Sequence, residues 1–379
     1  MGPNTVFDVK VARKIDEFSA KDWQAVFPPA LENYDFFKSL DESGFSQFSF
    51  HYLMVYKQDI PVAAASCFIM RFPLDITSRG PIKSIFNCIK RLNRNILNPK
   101  ALMCGLPMGQ GRIGIIENNS AVMDAICNSL EEIAKKEKAV LVIFKDFTSE
   151  YRDILRPLSQ KGFHKIESLP NTEMDIKFNN FDEYLNTLNP VSRSGLKRNY
   201  KRVDGKVKID LEVCNSFTDD VLPQAYRLYL ETVEGHDEGL EKVPEAFFRQ
   251  IAKNMPGEVK YFLWRIEGKL VAFAFCLVSG ELFIDYYLGF DYSLAHKYHL
   301  YFIRFRDLMN WCIAHGINKY EMGPTGYEAK RRLGFDFVRL YYYIKPRNRI
   351  VNFLFDALKP LFNPENFDPV FRRIKEKIK

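Results

Sequence analysis

The sequence predicts an α/β (α+β) fold of two tandem lobes, each a mixed central sheet flanked by helices. The chain has 379 residues, and typical domain sizes favour two domains at this length. Hydrophobic residues make up 47% and charged residues 27% of it, the balance of a globular protein with sizeable cores. Residues 7–178 and 207–344 also repeat one order of strands and helices, although the two passages share little sequence identity.

This repeated order sets the predicted domain boundaries. We expect an N-terminal lobe at residues 1–180, a C-terminal lobe at residues 181–347 and a basic amphipathic tail at residues 348–379. The N-terminal lobe departs from the simple order through an insertion at residues 79–100, which holds six Lys or Arg and no acid.

The C-terminal passage has the clearer periodicity. Alternating apolar residues predict its strands, and its long helix ends at Gly316, a residue suited to a left-handed C-terminal cap. The predicted elements are strand 207–214, helices 219–233 and 244–254, strands 259–266, 270–278 and 282–288, helix 294–315, strand 319–322, a short helix near 327–333 and strand 337–344.

The N-terminal passage repeats this order around the insertion. Its predicted elements are strand 7–12, helix 22–43, strands 48–56, 61–72 and 101–106, an amphipathic helix at 120–136, strand 139–144, a short helix at 150–160 and strands within 164–178.

Residues 281–347 resemble the C-terminal lobe of tandem GNAT proteins related to the Fem aminoacyltransferases. This group includes proteins of peptidoglycan biosynthesis or recognition. The motifs that carry the resemblance are YYLGF at 286–290, EMGP at 321–324, and YEAK at 327–330 followed by LGF at 333–335. The basic segment SRSGLKRNYKR at 192–202 resembles the helix that opens the second lobe in these families. The N-terminal lobe matches in element order only.

The resemblance implies where an acyl donor binds. In GNAT lobes the third and fourth strands splay apart, the thioester lies between them, and the pyrophosphate meets amides at the next helix N-terminus. Here that junction is at residues 290–299, where Lys297 and His299 are candidate donor-binding residues; the family's usual glycine-rich phosphate loop is missing, and an ordinary loop is the competing interpretation. The further donor-binding candidates are Arg198, Tyr327 and Lys330.

The catalytic candidates are side chains able to take a proton from an attacking amine. Glu321, Tyr286 and His236 are each predicted near the transfer site, and a general base needs an accessible lone pair. A buried carboxylate paired with lysine, or a packed tyrosine, is the alternative for each. Residues 231–238 are rich in acidic side chains. We expect them either to bind a cationic amine or to form a solvated loop.

A glycine-rich segment invites a different interpretation. Residues 109–114 match GxGxxG, the fingerprint of dinucleotide-binding folds. The pattern continues as a strand after Gly114 rather than opening a helix, so we interpret the segment as a hairpin or loop.

The insertion and the tail are predicted to be basic and amphipathic. In the insertion, apolar residues recur every three or four positions between Pro81 and Pro99, while the basic residues fall elsewhere on the helix. Such a helix suits an anionic membrane surface or an acidic acyl carrier protein. A helix packed on its own lobe is the alternative, and the same choice applies to the tail.

Several classes of protein are disfavoured. The longest apolar run is nine residues, 270–278, far short of a membrane span. The seven cysteines are scattered without metal-ligand spacing, which indicates reduced thiols in the cytoplasm and no metal site. The basic run at 193–208 contains one aromatic residue, Tyr200, too few for a nucleic-acid stacking platform. We expect a cytoplasmic protein that can bind peripherally to the inner face of the membrane.

The sequence thus predicts an N-acyltransferase that moves an acyl group from a thioester donor to a primary amine. Acyl-CoA or an acyl carrier protein is the expected co-substrate, with no permanently bound cofactor. A lipid-like amine such as a sphingoid base is a candidate acceptor. Two alternatives stay open: a Fem-type transferase that uses aminoacyl-tRNA and a peptidoglycan precursor, and a catalytically inert GNAT scaffold that binds lipid or protein.

Overall fold

The computed structural model describes residues 7–72, 98–116, 120–234, 242–359 and 370–371. The chain forms two compact units. The first contains the residues up to 170 together with those from 339 onward, and the second contains residues 171–338. The predicted insertion helix and most of the predicted tail lie outside the described residues.

The first unit has most of its strands and α-helices before the chain enters the second. Its elements are β1 (Asp8–Ala12), α1 (Ala20–Val26), α2 (Tyr34–Glu42), β2 (Ser49–Lys57), β3 (Ile60–Arg71), β4 (Lys100–Cys104), β5 (Ile113–Ile115), α3 (Ser120–Lys136), β6 (Leu141–Phe147), α4 (Arg152–Leu155) and β7 (His164–Glu167), completed by β15 (Tyr341–Pro346) and α12 (Arg349–Leu358).

The second unit takes the middle of the chain. Its elements are β8 (Asn171–Asp175), α5 (Phe181–Thr187), α6 (Pro190–Val203), β9 (Ile209–Cys214), α7 (Val221–Glu234), α8 (Glu245–Asn254), β10 (Val259–Ile266), β11 (Lys269–Ser279), β12 (Leu282–Phe290), α9 (Tyr292–Ala295), α10 (Leu300–Ala314), β13 (Lys319–Met322), α11 (Tyr327–Arg332) and β14 (Asp336–Val338).

The two sheets have the same topology. The first runs β1-β2-β3-β4-β6-β15-β7, with β5 added beside β3, and the second runs β9-β10-β11-β12-β13-β8-β14. In each, four antiparallel strands lead to one parallel pair, β4/β6 or β12/β13, and two antiparallel strands follow. The prediction of two lobes with mixed sheets is confirmed.

The two units exchange one strand each, and the predicted lobe boundaries miss this. Strand β8 lies in the predicted N-terminal lobe but pairs with β13 and β14 of the second sheet. Strand β15 lies in the predicted C-terminal lobe but pairs with β6 and β7 of the first. Alternation of apolar residues marks a strand without naming its partner, so the divisions fall at 170/171 and 338/339 rather than at 180 and 347.

The long helix of the second unit also differs from its prediction. Instead of one helix at 294–315, a short helix, α9, is followed by α10, and between them His299 adopts a left-handed backbone with φ +49°. Helix α10 buries Ile303, Phe305 and Leu308 in the core on one side of the sheet. Gly316, at φ +68°, follows the helix as predicted.

The glycine-rich segment at 109–114 is a loop that leads into β5, as predicted, and no helix begins at Gly114. Within the described ranges, no helix is long and apolar enough to cross a membrane.

Two glycines of the second unit differ in the space around them. Gly289 of β12 lies against α7, where an added Cβ would come within 2.6 Å of the Leu228 and Tyr229 backbones. Gly195 of α6 has open space at the same point. We expect Gly289→Ala to lower the free energy of unfolding by about 1–3 kcal/mol because backbone must move. Gly195→Ala should raise it by about 0.5–1 kcal/mol through helix propensity.

Chemical denaturation of the two variants and the wild-type protein measures this difference. Equal stability of the two variants would contradict the close packing of β12 on α7.

Candidate functional site

The parallel strands β12 and β13 separate partway along β12. They pair over four residues, from Leu282 opposite Lys319 to Asp285 opposite Met322. Strand β12 continues to Phe290, whereas β13 ends at Met322 and the chain turns through Gly323. We call the opening beyond Asp285 and Met322 the notch. Its presence agrees with the splayed strands that the sequence resemblance implies.

A β-bulge lies at the mouth of the notch. On β11, Phe275 is opposite Tyr287 while the next residue, Cys276, is opposite Asp285, so Tyr286 is the extra residue. Bulges bend a strand and redirect its side chains. Here Tyr286 is half-buried, with its ring 5.9 Å from that of Phe275. The bulge therefore places one predicted catalytic residue where β12 leaves β13.

A buried ion pair lies beside the last residue pair of the two strands. Arg304 of α10 donates from Nη1 to Oδ2 of Asp285 at 2.6 Å, and its side chain is 0% exposed. Tyr320 of β13 donates its hydroxyl to the same Oδ2 at 3.0 Å. Burial acts to lower the pKa of Arg304, but the Asp285 carboxylate raises it, so the guanidinium is charged. The pair joins α10, β12 and β13.

Lys330 of α11 is the second buried cation at this end of the strands. Its Nζ donates to the carbonyl oxygens of Gly323 and Pro324, the latter at 3.4 Å. Burial lowers the pKa of Lys330 to about 7; the Asp285 carboxylate opposes this shift and the Arg304 guanidinium adds to it. A lysine with such a pKa is present in both its ammonium and its neutral amine form near neutral pH.

The turn between β13 and α11 is strained. Thr325 has φ +76°, which is rare for a β-branched residue. Strained backbone persists where surrounding contacts hold it and is concentrated at functional sites. Thr172 of β8 provides such a contact, because its hydroxyl donates to the carbonyl of Met322 at 2.5 Å just before the turn.

Glu321 lies on the other face of β13. Since successive side chains of a strand alternate, Glu321 points away from the face on which Tyr320 contacts Asp285. Its carboxylate is 3.7 Å from the Lys319 ammonium and accepts a hydrogen bond from Asn171 at 3.3 Å. Glu321 is thus half-buried, and its carboxylate lies beside Lys319 and Asn171.

The basic candidates lie on α6 and in the segment just before α10. Lys297 is exposed, with its ammonium 4.9 Å from the Tyr298 ring. Burial lowers the pKa of the half-buried His299, and the charges of Arg202 and His296 lower it further. Arg198 is exposed on α6, whose last turn includes Arg202. Lys297 and His299 directly precede the first turn of α10, where the first backbone amides of a helix lack helical acceptors.

Two further residues of the predicted site remain, Tyr327 and His236. Tyr327 is only 2% exposed and packs its ring 5.8 Å from that of Phe337, so it is part of the core of the second unit. His236 lies outside the described residues. Asp285 and Arg304 are absent from the sequence-predicted site; Asp285 had a signal, as the one charged residue of its strand, whereas Arg304 shares its helix with Arg306 and Asp307.

The equivalent strand end in the first unit is closed. Strands β4 and β6 pair up to Cys104 and Phe144. The following glycine-rich loop then folds onto β6, with the Gly111 amide donating to the Asp146 carbonyl at 2.8 Å. A Cβ on Gly111 would overlap the Lys145 carbonyl oxygen, so only glycine fits there. Of the two parallel pairs, the β12/β13 pair is the one that opens.

Comparison with known proteins identifies the class of the fold. Residues 191–331 match the family model of the acetyltransferase (GNAT) domain. This match supports an N-acyltransferase, and GNAT enzymes use acyl-CoA as a co-substrate. No significantly similar sequence was found among curated proteins. Among the described residues, no group of three or more His, Cys, Asp or Glu is arranged to hold a metal ion.

Solved structures similar to the whole chain include three tandem or related proteins. FemX aligns with a TM-score of 0.56 at 13% identity, over 93% of this chain and 100% of its own. A tandem GNAT protein from the clavulanic acid biosynthesis pathway aligns at 0.54 and 9% identity, over 89% and 98%. The C-terminal domain of an Agrobacterium fabrum protein described as a lysylphosphatidylglycerol synthetase aligns at 0.53 and 11% identity, over 89% and 95%. The chain therefore has the tandem GNAT fold, and residues 191–331 match the GNAT domain model.

The depressed pKa of Lys330 predicts a pH-dependent stability. Its folded-state pKa, about 7, is below the ordinary 10.5, so the unfolded chain binds more protons between these values and wild-type stability rises with pH there. We expect Lys330→Met to be more stable than the wild-type protein by the largest margin below pH 7. The margin should shrink towards pH 10.5.

Urea denaturation across this pH range measures the margin. Lys197→Met, at an exposed position of α6, is the matched control and should show a small, constant difference. A constant margin for Lys330→Met as well would contradict the buried environment of this lysine.

Proposed function

We propose that the protein is an N-acyltransferase that moves an acyl group from a thioester donor, acyl-CoA or an acyl carrier protein, to a primary amine. The observation that carries this proposal is the notch in the second unit, where β12 leaves β13 and a buried lysine with a pKa of about 7 is bonded to the turn that follows β13. Backbone amides and a titrating amine are the groups that acyl transfer requires.

The reaction proceeds by direct attack. The thioester lies in the notch, where backbone N–H groups of β12 polarise its carbonyl. The amine nitrogen forms a bond to the carbonyl carbon, the C–S bond breaks, and the thiolate leaves. Lys330 in its neutral form accepts the proton that the attacking nitrogen loses, and in its ammonium form it stabilises negative charge on the carbonyl oxygen.

The basic residues at the start of α10 support a phosphate-bearing donor. The positive end of the helix dipole and the free amides of the first turn favour an anion. Lys297 and Arg198 add positive charge from the segment before α10 and from α6, and His299 adds a ring N–H that can donate to a phosphate oxygen. We assign them to the donor's phosphates, which CoA and the phosphopantetheine of a carrier protein share.

Helix α12 supports an acceptor at a membrane face. Phe355 is buried against the first unit, whereas Ile350 and Phe353 are 72% and 83% exposed on the same helix. Exposed apolar residues on a helix with a basic start suit the interface of an anionic bilayer. A lipid-like amine, such as a sphingoid base, is the acceptor that such a location provides.

A transfer assay tests the proposed reaction. Purified protein is incubated with acyl-CoA, acyl carrier protein or charged tRNA and a panel of amines, including long-chain ones, and products are identified by mass spectrometry. We expect N-acylated amine from a thioester donor. Lys330→Met should lower kcat by about 10²–10⁴-fold, the usual contribution of a proton-transfer group, while Lys197→Met keeps wild-type turnover.

Other outcomes of this assay decide between the remaining functions. Transfer from charged tRNA alone would favour the Fem-type reaction, which the fold similarity to FemX permits. Absence of product with every donor would favour a non-catalytic scaffold.

Vesicle sedimentation tests the membrane location. Ile350→Ser with Phe353→Ser should weaken binding to vesicles of anionic lipid by about tenfold or more, because two large apolar side chains no longer enter the interface. Val191→Ser, at an equally exposed apolar position of α6, is the control and should bind as the wild-type protein does. Equal binding of the vesicles by the wild-type protein and both variants would contradict a membrane contact through α12.

A further inference from the structure

The buried Arg304–Asp285 ion pair contains polar atoms that its own hydrogen bonds leave without a partner. Both donors that reach the carboxylate, from Arg304 and Tyr320, end on Oδ2. Among the described residues, Asp285 Oδ1 and the Nε and Nη2 of Arg304 are buried without a hydrogen-bond partner. Buried polar atoms of this kind are costly, and natural proteins retain them mainly where they serve a function.

The geometry connects this pair to Lys330. Asp285 is the strand residue opposite Met322, and Lys330 donates to the carbonyl of the very next residue, Gly323. The two charges that act on Lys330 are the carboxylate of Asp285 and the guanidinium of Arg304, and their effects are opposite in sign. In a buried setting, such charges interact far more strongly than they would in water.

Other groups near the pair are neutral or already paired. On the helix of Lys330 itself, Arg331 is bound to Glu328 at 2.9 Å. The remaining titratable groups that act on the pair are Tyr301 and Cys312 of α10, Tyr320 of β13 and Cys276 of β11, and burial raises the pKa of each of them above its ordinary value. Asp285 and Arg304 are therefore the charged groups of other elements whose charges act on the pKa of Lys330.

We propose that Asp285 and Arg304 are positioning residues that set the charge state of Lys330, with Asp285 holding its proton and Arg304 displacing it. This inference rests on the proposed function for the role of Lys330 in acyl transfer, but the effect on the lysine is independent of turnover. The ion pair thereby determines the pH at which the enzyme works. A purely structural ion pair would stabilise the fold without moving the titration of a neighbouring amine.

The test follows the titration of Lys330 directly. Protein labelled with ¹³C at the lysine ε-carbons is titrated by NMR, and the Lys330 signal is assigned by its loss in Lys330→Met. Asp285→Asn removes the negative charge and should move the Lys330 midpoint down by about one pH unit, within the range that a nearby opposite charge produces. Arg304→Gln removes the positive charge and should move it up by a similar amount. Arg306→Gln, two residues along α10 in an ion pair with Asp204, is the control and should leave the midpoint unchanged.

The opposite directions decide the result. Midpoints that move the same way in the two variants, or no further than in the control, would overturn the proposal. If either variant fails to fold, Tyr320→Phe replaces it, because this variant removes only the hydrogen bond to Oδ2 of Asp285. The proposal then requires the Lys330 midpoint to move up by less than in Arg304→Gln.

Measuring kcat/KM against pH in the same variants separates this proposal from the proposed function. Its pH midpoint should move with the NMR midpoint. If the NMR midpoints shift as expected but no product forms, the positioning role stands and the acyl-transfer function fails. Product formation with unmoved midpoints overturns the positioning role alone.

Discussion

The buried contact between Arg304 and Asp285 is the constraint on which the candidate site depends. It fixes helix α10 to strand β12 at the last residue that β12 shares with β13, and Tyr320 brings β13 into the same contact. Removing two charges from water is costly, and a buried pair does not stabilise a fold as well as apolar residues of similar size. Its position at the point of strand separation, beside Lys330, gives it a role that apolar packing would not supply.

The two units show how one topology gives two different strand ends. Both contain a parallel pair at the same place in the sheet. In the first unit, glycines allow the loop after β4 to fold onto β6, and backbone hydrogen bonds close the end of the pair. In the second unit, β12 has a bulge at Tyr286, one residue beyond its last pairing with β13, and no further pairing of the two strands follows. The two sheets thus share one strand order but differ in the chain segment that follows the parallel pair.

The groups proposed to bind the donor and to transfer a proton come from different parts of the second unit's chain. The cations suited to phosphates lie on α6 and before α10, whereas the titrating lysine lies on α11. Glu321, one of the three candidate bases from the sequence, is on the other face of β13, bonded to Asn171 and near Lys319. Of the candidates, Lys330 is the one whose surroundings tune an amine to neutral pH, although it was predicted as a donor-binding residue.

The sequence by itself determined the order of elements, the two mixed sheets and the GNAT-like motifs around Lys330, because these depend on local periodicity and short spacings. It also placed Gly316 at the end of the long helix, since a left-handed cap is a local requirement. Only the tertiary structure decided that β8 and β15 exchange sheets, that His299 interrupts the helix, and that Tyr327 is core. The same holds for the charge state of Lys330, because strand partners and buried electrostatics arise from residues far apart in the chain, as Asp285, Arg304 and Lys330 are.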